Sequence, residues 1–484
     1  MTATEPLTAP TATPVATSAA ELLTITDAAA ALRAGTTTAV DLVRTSIARA
    51  DALDATLGVY LHRTDEAALE AAAAVDAALA AGEDPGPLAG IPLGIKDILS
   101  VEGTPTTSQS LVMDPAFGEQ GDAVVVARLK AAGGIVTGKT TTMEYAVGCP
   151  DPDKPFPIPR NPWDTDRWTG GSSSGTGNGV AAGLFLGGLG TDTGGSVRYP
   201  AALCGISGMK QTFGRVPKSG CTPLGFSYDH VGPMARSARD CALMLGVMAG
   251  AHPSDPTTAD VDVPDYLAAL TGDVTGLRLG VATHLLDTPG FDPENAAAFR
   301  AAVGVLAAAG ADVVEVALPN FAEAMTATAY GFCAEAFAYH RADLQARWAD
   351  YGAPTRMAIV KGALFSAADY VQAQRVRRAT VKATAQLMTD VDLLLTPTTT
   401  IAAPLLENLD FDLVMATVLT PYFNAVGLPA MSIPMGSTSD GLPLGLQIAG
   451  RPFEEATVFQ AADAYQRLTT HHLAVPAMTL EVAA

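Results

Sequence analysis

No run in this 484-residue chain reaches the roughly 18 uninterrupted apolar residues that a membrane-spanning helix needs. The nearest, residues 180–189, is short and studded with glycine, so no membrane partner is expected. Basic residues are scarce: 29 Lys and Arg stand against 50 Asp and Glu, a formal charge of -21. A phosphate-binding surface depends on clustered cations, so nucleic acid is not expected as a partner, and the acidity reads as solubility. Cysteine is sparse and irregular. Cys149, Cys204, Cys221, Cys241 and Cys333 are odd in number and contain no CxxC, which excludes a disulfide framework or cysteine zinc site and suits free thiols in a reducing compartment. Residues 1–20, rich in Thr, Ala and Pro, lack the basic start and apolar core of a secretory signal and are expected to be a flexible tail. A cytoplasmic location follows as the expectation.

Apolar residues are plentiful at 48%, with 16% charged, enough for a sizeable core. Helical periodicity marks 28–34, capped by Asp27, then 41–57, 67–81 and 122–132, with strands at 91–99 and 135–137. A proline-rich loop follows, and 162–169 reads as its continuation. In the second half, strands at 277–281 and 313–316 flank a helix at 296–309. A mostly helical region covers 321–388, a buried strand sits at 393–395, and 431–434 with 444–448 form a hairpin. Alternating strands and helices imply an α/β fold with a mixed sheet covered on both faces, and no linker divides residues 21–484.

Three local motifs match known patterns without their context. Gly133 to Thr140 fits GxxxxGK[ST], but its Ile-Val-Thr interior prefers a strand to a flexible phosphate loop. Ser207-Gly-Met-Lys210 and Lys218-Ser-Gly220 mimic the boxes of penicillin-recognising enzymes, yet lie only eight residues apart. Gly171 to Gly175 fits GxSxG, whose nucleophile elbow needs a buried strand directly before it. His230, His252, His284, His340, His471 and His472 could serve such a serine as base, but none has a distinctive context.

More chemistry is carried by Thr191-Asp-Thr193-Gly194-Gly195-Ser196. Two glycines let successive N–H groups converge on one oxyanion, with a serine facing the same point. Alone, the stretch reads equally well as a surface turn. A hydroxyl also needs a base. Upstream, Lys96 lies within the apolar stretch 91–99, where desolvation would favour its neutral amine; an isolated strand lysine more commonly snorkels to water.

Together, Gly94-Ile-Lys96-Asp97, Gly170-Gly171-Ser172-Ser173-Ser174-Gly175 and Gly190 to Ser196 with Arg198 and Pro200 resemble the amidase signature family. The spacing of these motifs agrees, as do the stretches 229–237, 424–434 and 441–447, so the resemblance runs from about residue 22 to 470. It implies a large mixed, mostly parallel β-sheet sandwiched between helical layers. It further implies Ser196 as nucleophile, Ser172 as relay after a cis peptide, and Lys96 as base. The backbone amides of Thr193, Gly194, Gly195 and Ser196 would form the oxyanion hole, with Ser173, Asp192 and Arg198 in support. No metal or organic cofactor is implied.

The substrate pocket is expected around 143–148, 223–228 and 330–339, with Met143, Tyr145, Phe226, Phe332 and Asn424 as candidate contacts. The expected substrate is a small hydrophobic or aryl amide, a carbamate or a nylon-type oligomer, handled by a monomer or homodimer. One alternative is the glutaminase subunit of a tRNA-dependent amidotransferase, although Thr141-Thr-Met-Glu-Tyr-Ala146 departs from that subunit's usual wording. Another is a non-catalytic scaffold, which the complete Lys–Ser–Ser set disfavours. Activity is expected to survive chelation; loss with EDTA, restored by added metal, would overturn the cofactor expectation.

Overall fold

Short segments rich in aliphatic residues and glycine supply most of the strands, nearly all of them buried. The computed structural model, which describes residues 22–480, collects eleven of them into one sheet. From edge to edge the strands are Tyr60–Arg63, Ile135–Thr140, Pro92–Lys96, Gly187–Asp192, His230–Ala235, Ser207–Lys210, Ala430–Ser437, Pro443–Gly450, Leu393–Pro397, Arg278–Val281 and Asp312–Glu315. The sheet is mixed, but parallel pairing is confined to two zones. One joins Pro92–Lys96 to its two neighbours; the other joins Arg278–Val281 to its two neighbours. The strands between them pair antiparallel, so the expected parallel majority gives way at the centre, where the hairpin 430–450 and the strand 230–235 insert.

Helices cover both faces. On Pro443–Gly450, a Cβ at Gly445 would meet Ala202 of helix Arg198–Cys204, whereas one at Gly450 would meet Val458 of helix Glu455–Leu468. An odd spacing along a strand puts these contacts on opposite faces. Ala238–Met248 and Pro293–Ala308 pack beside Glu455–Leu468, burying residues such as Leu245, Phe299 and Phe459. Among the described residues no helix is long and apolar enough to cross a membrane. The tail expected over 1–20 lies outside the described residues.

Element bounds shift for identifiable reasons. The first helix is Ile25–Arg33, because Thr24, not Asp27, caps it by accepting the Asp27 amide. The segment expected to be a loop holds the strand Asp164–Trp168, paired with Arg160–Asn161 across a tight turn. The strand expected at 135–137 continues through Gly138, Lys139 and Thr140, so the phosphate-loop look-alike is a sheet strand, second from the edge and paired on both sides. Lys139 is fully buried there, 2.8 Å from Asp97 Oδ1, and donates to Thr106 Oγ1 at 2.7 Å. The helical stretch 321–388 is three α-helices: Phe321–Arg347, Ala353–Val360 and Ala367–Leu387.

Removing one partner of a buried ion pair strands the other charge, at about 3–5 kcal/mol. Lys139→Ala is therefore expected to lower unfolding stability by that order in a urea titration. Millimolar nucleoside triphosphate should leave the Tm of the unaltered protein unmoved.

Candidate active site

Pro92–Lys96 and Gly187–Asp192 run parallel, with Ile95 opposite Leu189, so their C-terminal ends open at the same edge of the sheet. Lys96 stands at one end and Thr191-Asp192 at the other. Both strands are buried throughout, and the lysine side chain has no exposure. Its Nζ lies 2.7 Å from Ser172 Oγ, 2.8 Å from Thr191 Oγ1 and 3.1 Å from Ser173 Oγ. No carboxylate pairs with it among the described residues. Burial lowers its pKa to about 7, against weaker upward pulls from Cys221, Asp192 and Asp229. A neutral amine has two N–H donors and one lone pair. Three hydroxyl neighbours match that set: two can accept while Ser172 donates.

The serines arrive on the turn between Asp164–Trp168 and helix Ser174–Ala181. The Gly171–Ser172 peptide is cis, as the resemblance implied. Ser172 O accepts from the Met143 amide at 3.2 Å, and Ser173 N donates to Ser196 O at 3.2 Å, tying the two serine loops together. Gly190 leaves room for this approach, since a Cβ there would come within 2.7 Å of Ser173 Oγ. Ser173 Oγ also accepts from Thr191 N at 3.1 Å, so it aligns Thr191 as well as touching the lysine.

Asp192 organises the loop that follows. Its Oδ1 accepts from Gly195 N, Arg198 Nη2 and Asn424 Nδ2, each at 2.8 Å, and its Oδ2 accepts from Arg198 Nε at 2.9 Å. Burial alone would raise this carboxyl; the Arg198 charge and hydrogen bonds, with Lys210 and Asn424, outweigh it and hold the group well below the usual carboxylate range. Arg198 is anchored in turn on Gln447 Oε1 at 2.7 Å and Thr420 O at 3.0 Å. At Gly195 φ is +130°, and a Cβ would collide with Thr420 Oγ1, so no other residue fits without strain.

One expectation changes here. The Gly195 amide belongs to Asp192 and is not free for an oxyanion. The amides of Thr193, Gly194 and Ser196 have no hydrogen-bond partner among the described residues. Ser196 is half-buried and shares with Ser172 and Gly194 a cavity of about 60 Å³. Beside Thr193 its walls are mostly apolar or aromatic, among them Met143, Trp168, Tyr199, Leu224, Phe332, Phe411, Val414 and Met415, and none is charged.

Of the expected pocket residues, Met143 and Phe332 line this cavity. Phe226 is 59% exposed and lines a neighbouring cavity of about 230 Å³. Tyr145 turns away to pack on His340, and Asn424 is buried against Asp192 and Arg198 behind the loop. The contact of Thr191 with Lys96, and the cavity walls from Trp168 and the helix Phe411–Thr417, were not anticipated, because no local pattern marks residues that meet only through the fold. The rival motifs dissolve. Ser207 Oγ binds Arg236 O; Lys210 Nζ binds backbone carbonyls of Gln211 and Leu428. His230 sits on Asp192 O, His340 on Tyr351, and among the described residues no histidine hydrogen-bonds Ser172, Ser173 or Ser196. Among the described residues no His, Cys, Asp or Glu group could hold a metal.

A lysine whose pKa is lower folded than unfolded binds fewer protons in the native state. Its contribution is fully present above the unfolded value near 10.5 and is lost as pH falls towards about 7. Over that window the unaltered protein should gain stability with pH relative to Lys96→Met, by a few kcal/mol at the order-of-magnitude level. Parallel urea curves at several pH values check this, and parallel pH profiles for the two proteins would contradict it.

Comparison with known proteins bears on this arrangement. The amidase family pattern matches residues 41–459. The A-subunit of glutamyl-tRNA(Gln) amidotransferase from Chloroflexus aurantiacus is 42% identical over 484 residues, covering 95% of this chain and 99% of that protein. A structure described as an unexpected vestigial protein complex, bearing on the origins of an s-triazine catabolic enzyme, superposes with a TM-score of 0.86 at 32% identity. It covers 92% of this chain and 98% of that one. The peptide amidase of Stenotrophomonas maltophilia gives 0.78 at 31% identity, over 92% and 96%. Two of these three are described as a subunit or a complex, at odds with the expectation of a monomer or homodimer. On the family pattern and this near-complete overlap, the chain belongs to the amidase signature family and is an enzyme of carbon–nitrogen bond hydrolysis.

Proposed function

We propose that the chain hydrolyses small amide-type substrates with a short, largely apolar acyl group. In this reading Ser196 attacks the carbonyl, Ser172 passes its proton to neutral Lys96, and the amides of Thr193, Gly194 and Ser196 receive the oxyanion. The same relay returns the proton to the leaving amine, and water then frees the acyl group from Ser196. The observation that carries the reading is the site's partition. A buried lysine meets only hydroxyls on one side of the serines, and on the other lies a cavity without a charged side chain. Anilides, short aliphatic amides and carbamates suit that cavity.

A second reading, the glutaminase component of a tRNA-dependent amidotransferase, is favoured by overall similarity to those amidotransferase chains. It requires a partner chain, and it requires the ammonium and carboxylate of glutamine to be met near Ser196. The lining of that cavity offers no ionised group for either, which is costly for a buried zwitterion.

Two measurements test the proposal. The acid limb of kcat/KM should titrate near pH 7, where Lys96 loses its proton as pH rises. Lys96→Ala should cost several orders of magnitude in amide turnover, and Ser196→Ala should abolish fluorophosphonate labelling. Normal amide hydrolysis by Lys96→Ala would rule out the base. In a panel of anilides, aliphatic amides, esters, carbamates and glutamine, the isolated chain should prefer the apolar acyl compounds. Glutamine hydrolysis appearing only with a co-expressed partner, with anilides untouched, would replace this reading by the second.

A further inference from the structure

Trp168 is 1% exposed and lines the cavity beside Ser196, yet its indole Nε1 has no hydrogen-bond partner among the described residues. Buried tryptophan N–H groups ordinarily find an acceptor, and leaving one unmet is unfavourable. The fold is able to meet such a need elsewhere: Trp163 Nε1 donates to Cys204 O at 2.8 Å. Trp168 has its backbone satisfied, through Pro404 O at 2.9 Å and Asn161 Nδ2 at 3.2 Å, so only the ring N–H is left over. The ring is held edge-on to Tyr199, with centroids 5.5 Å apart. Its Cζ2, two bonds from Nε1, faces the catalytic turn, since a Cβ on Gly171 would come within 2.9 Å of it. An unmet donor, fixed by packing, therefore lies at the wall of the chamber next to the proposed nucleophile, where the Tyr199 hydroxyl also lacks a partner among the described residues.

We propose that Trp168 is a specificity-determining residue whose indole N–H receives a hydrogen-bond acceptor carried by the acyl part of the substrate. The favoured acyl group is then a short chain bearing an ether or carbonyl oxygen, and a pure hydrocarbon chain of the same length leaves the donor unmet. The inference rests on the acyl pocket proposed above. A site with a buried polar group discriminates against the isostere that lacks its partner.

The test compares methoxyacetanilide with butyranilide, which differ by one oxygen in place of a methylene. The readouts are aniline release and the concentration of each that slows fluorophosphonate labelling of Ser196. In the unaltered protein methoxyacetanilide should protect at about 3–10-fold lower concentration. In Trp168→Phe, checked for folding by thermal melting, the ratio should fall to about one; the double ratio cancels the electronic effect of the ether on the carbonyl. Equal protection in the unaltered protein, or a preference that persists in Trp168→Phe, overturns the role of Trp168 while leaving the acyl pocket standing. If labelling proceeds but neither anilide is cleaved or protects, the pocket reading itself falls, and this inference with it.

Discussion

Taking a lysine amine out of water penalises its charged form, and the surroundings of Lys96 preserve that penalty by offering it hydroxyls and no carboxylate. The contrast lies one strand away. Lys139 is as deeply buried, but Asp97 stands 2.8 Å from it, so that lysine is held as half of an ion pair. The two lysines have similar neighbours in sequence, each in a strand with glycine close by. Their chemistry differs because one strand end faces Thr191 and the serine turn, while the other side chain meets the residue after Lys96. A carboxylate placed where Thr191 stands would favour the ammonium and take away the neutral amine beside the serines.

The second constraint is the single carboxylate of Asp192. It holds the amide of Gly195, the guanidinium of Arg198 and the side chain of Asn424 at once, and Arg198 carries the tie onward to Gln447 and Thr420. The loop bearing Ser196 is thus held by groups that never face the cavity. Fixing it this way uses one of the four amides expected of an oxyanion hole. The remaining three face no other acceptor among the described residues, which suits a site that must stabilise charge only as it develops.

The two functional readings share the Lys–Ser–Ser apparatus and differ in the chamber beyond it. Similarity along the whole chain weighs towards the amidotransferase relatives. The chamber itself, built by Trp168, Phe332 and the helix Phe411–Thr417, has no charged side chain, and its buried unpartnered polar side-chain atoms are the Trp168 indole N–H and the Tyr199 hydroxyl among the described residues.

Lys96, Ser172, Ser196, Asp192 and Arg198 were legible in the sequence because each lies in a short, contiguous motif. The helices and most sheet strands were legible from periodicity. Strands such as Gly187–Asp192 were not, because a glycine-rich segment carries no apolar alternation; its strand character comes from neighbours on either side. The parallel majority failed for a related reason, since strand order is set by long-range pairing. Tyr145 and Asn424 misled as pocket residues because residue type does not reveal direction: one turns to His340, the other to Arg198. The sequence by itself determined which reactive side chains stand at the ends of two strands. Only the tertiary structure decided the partners of each group, because burial, the loss of the Gly195 amide and the unmet Trp168 donor arise from segments distant in the chain.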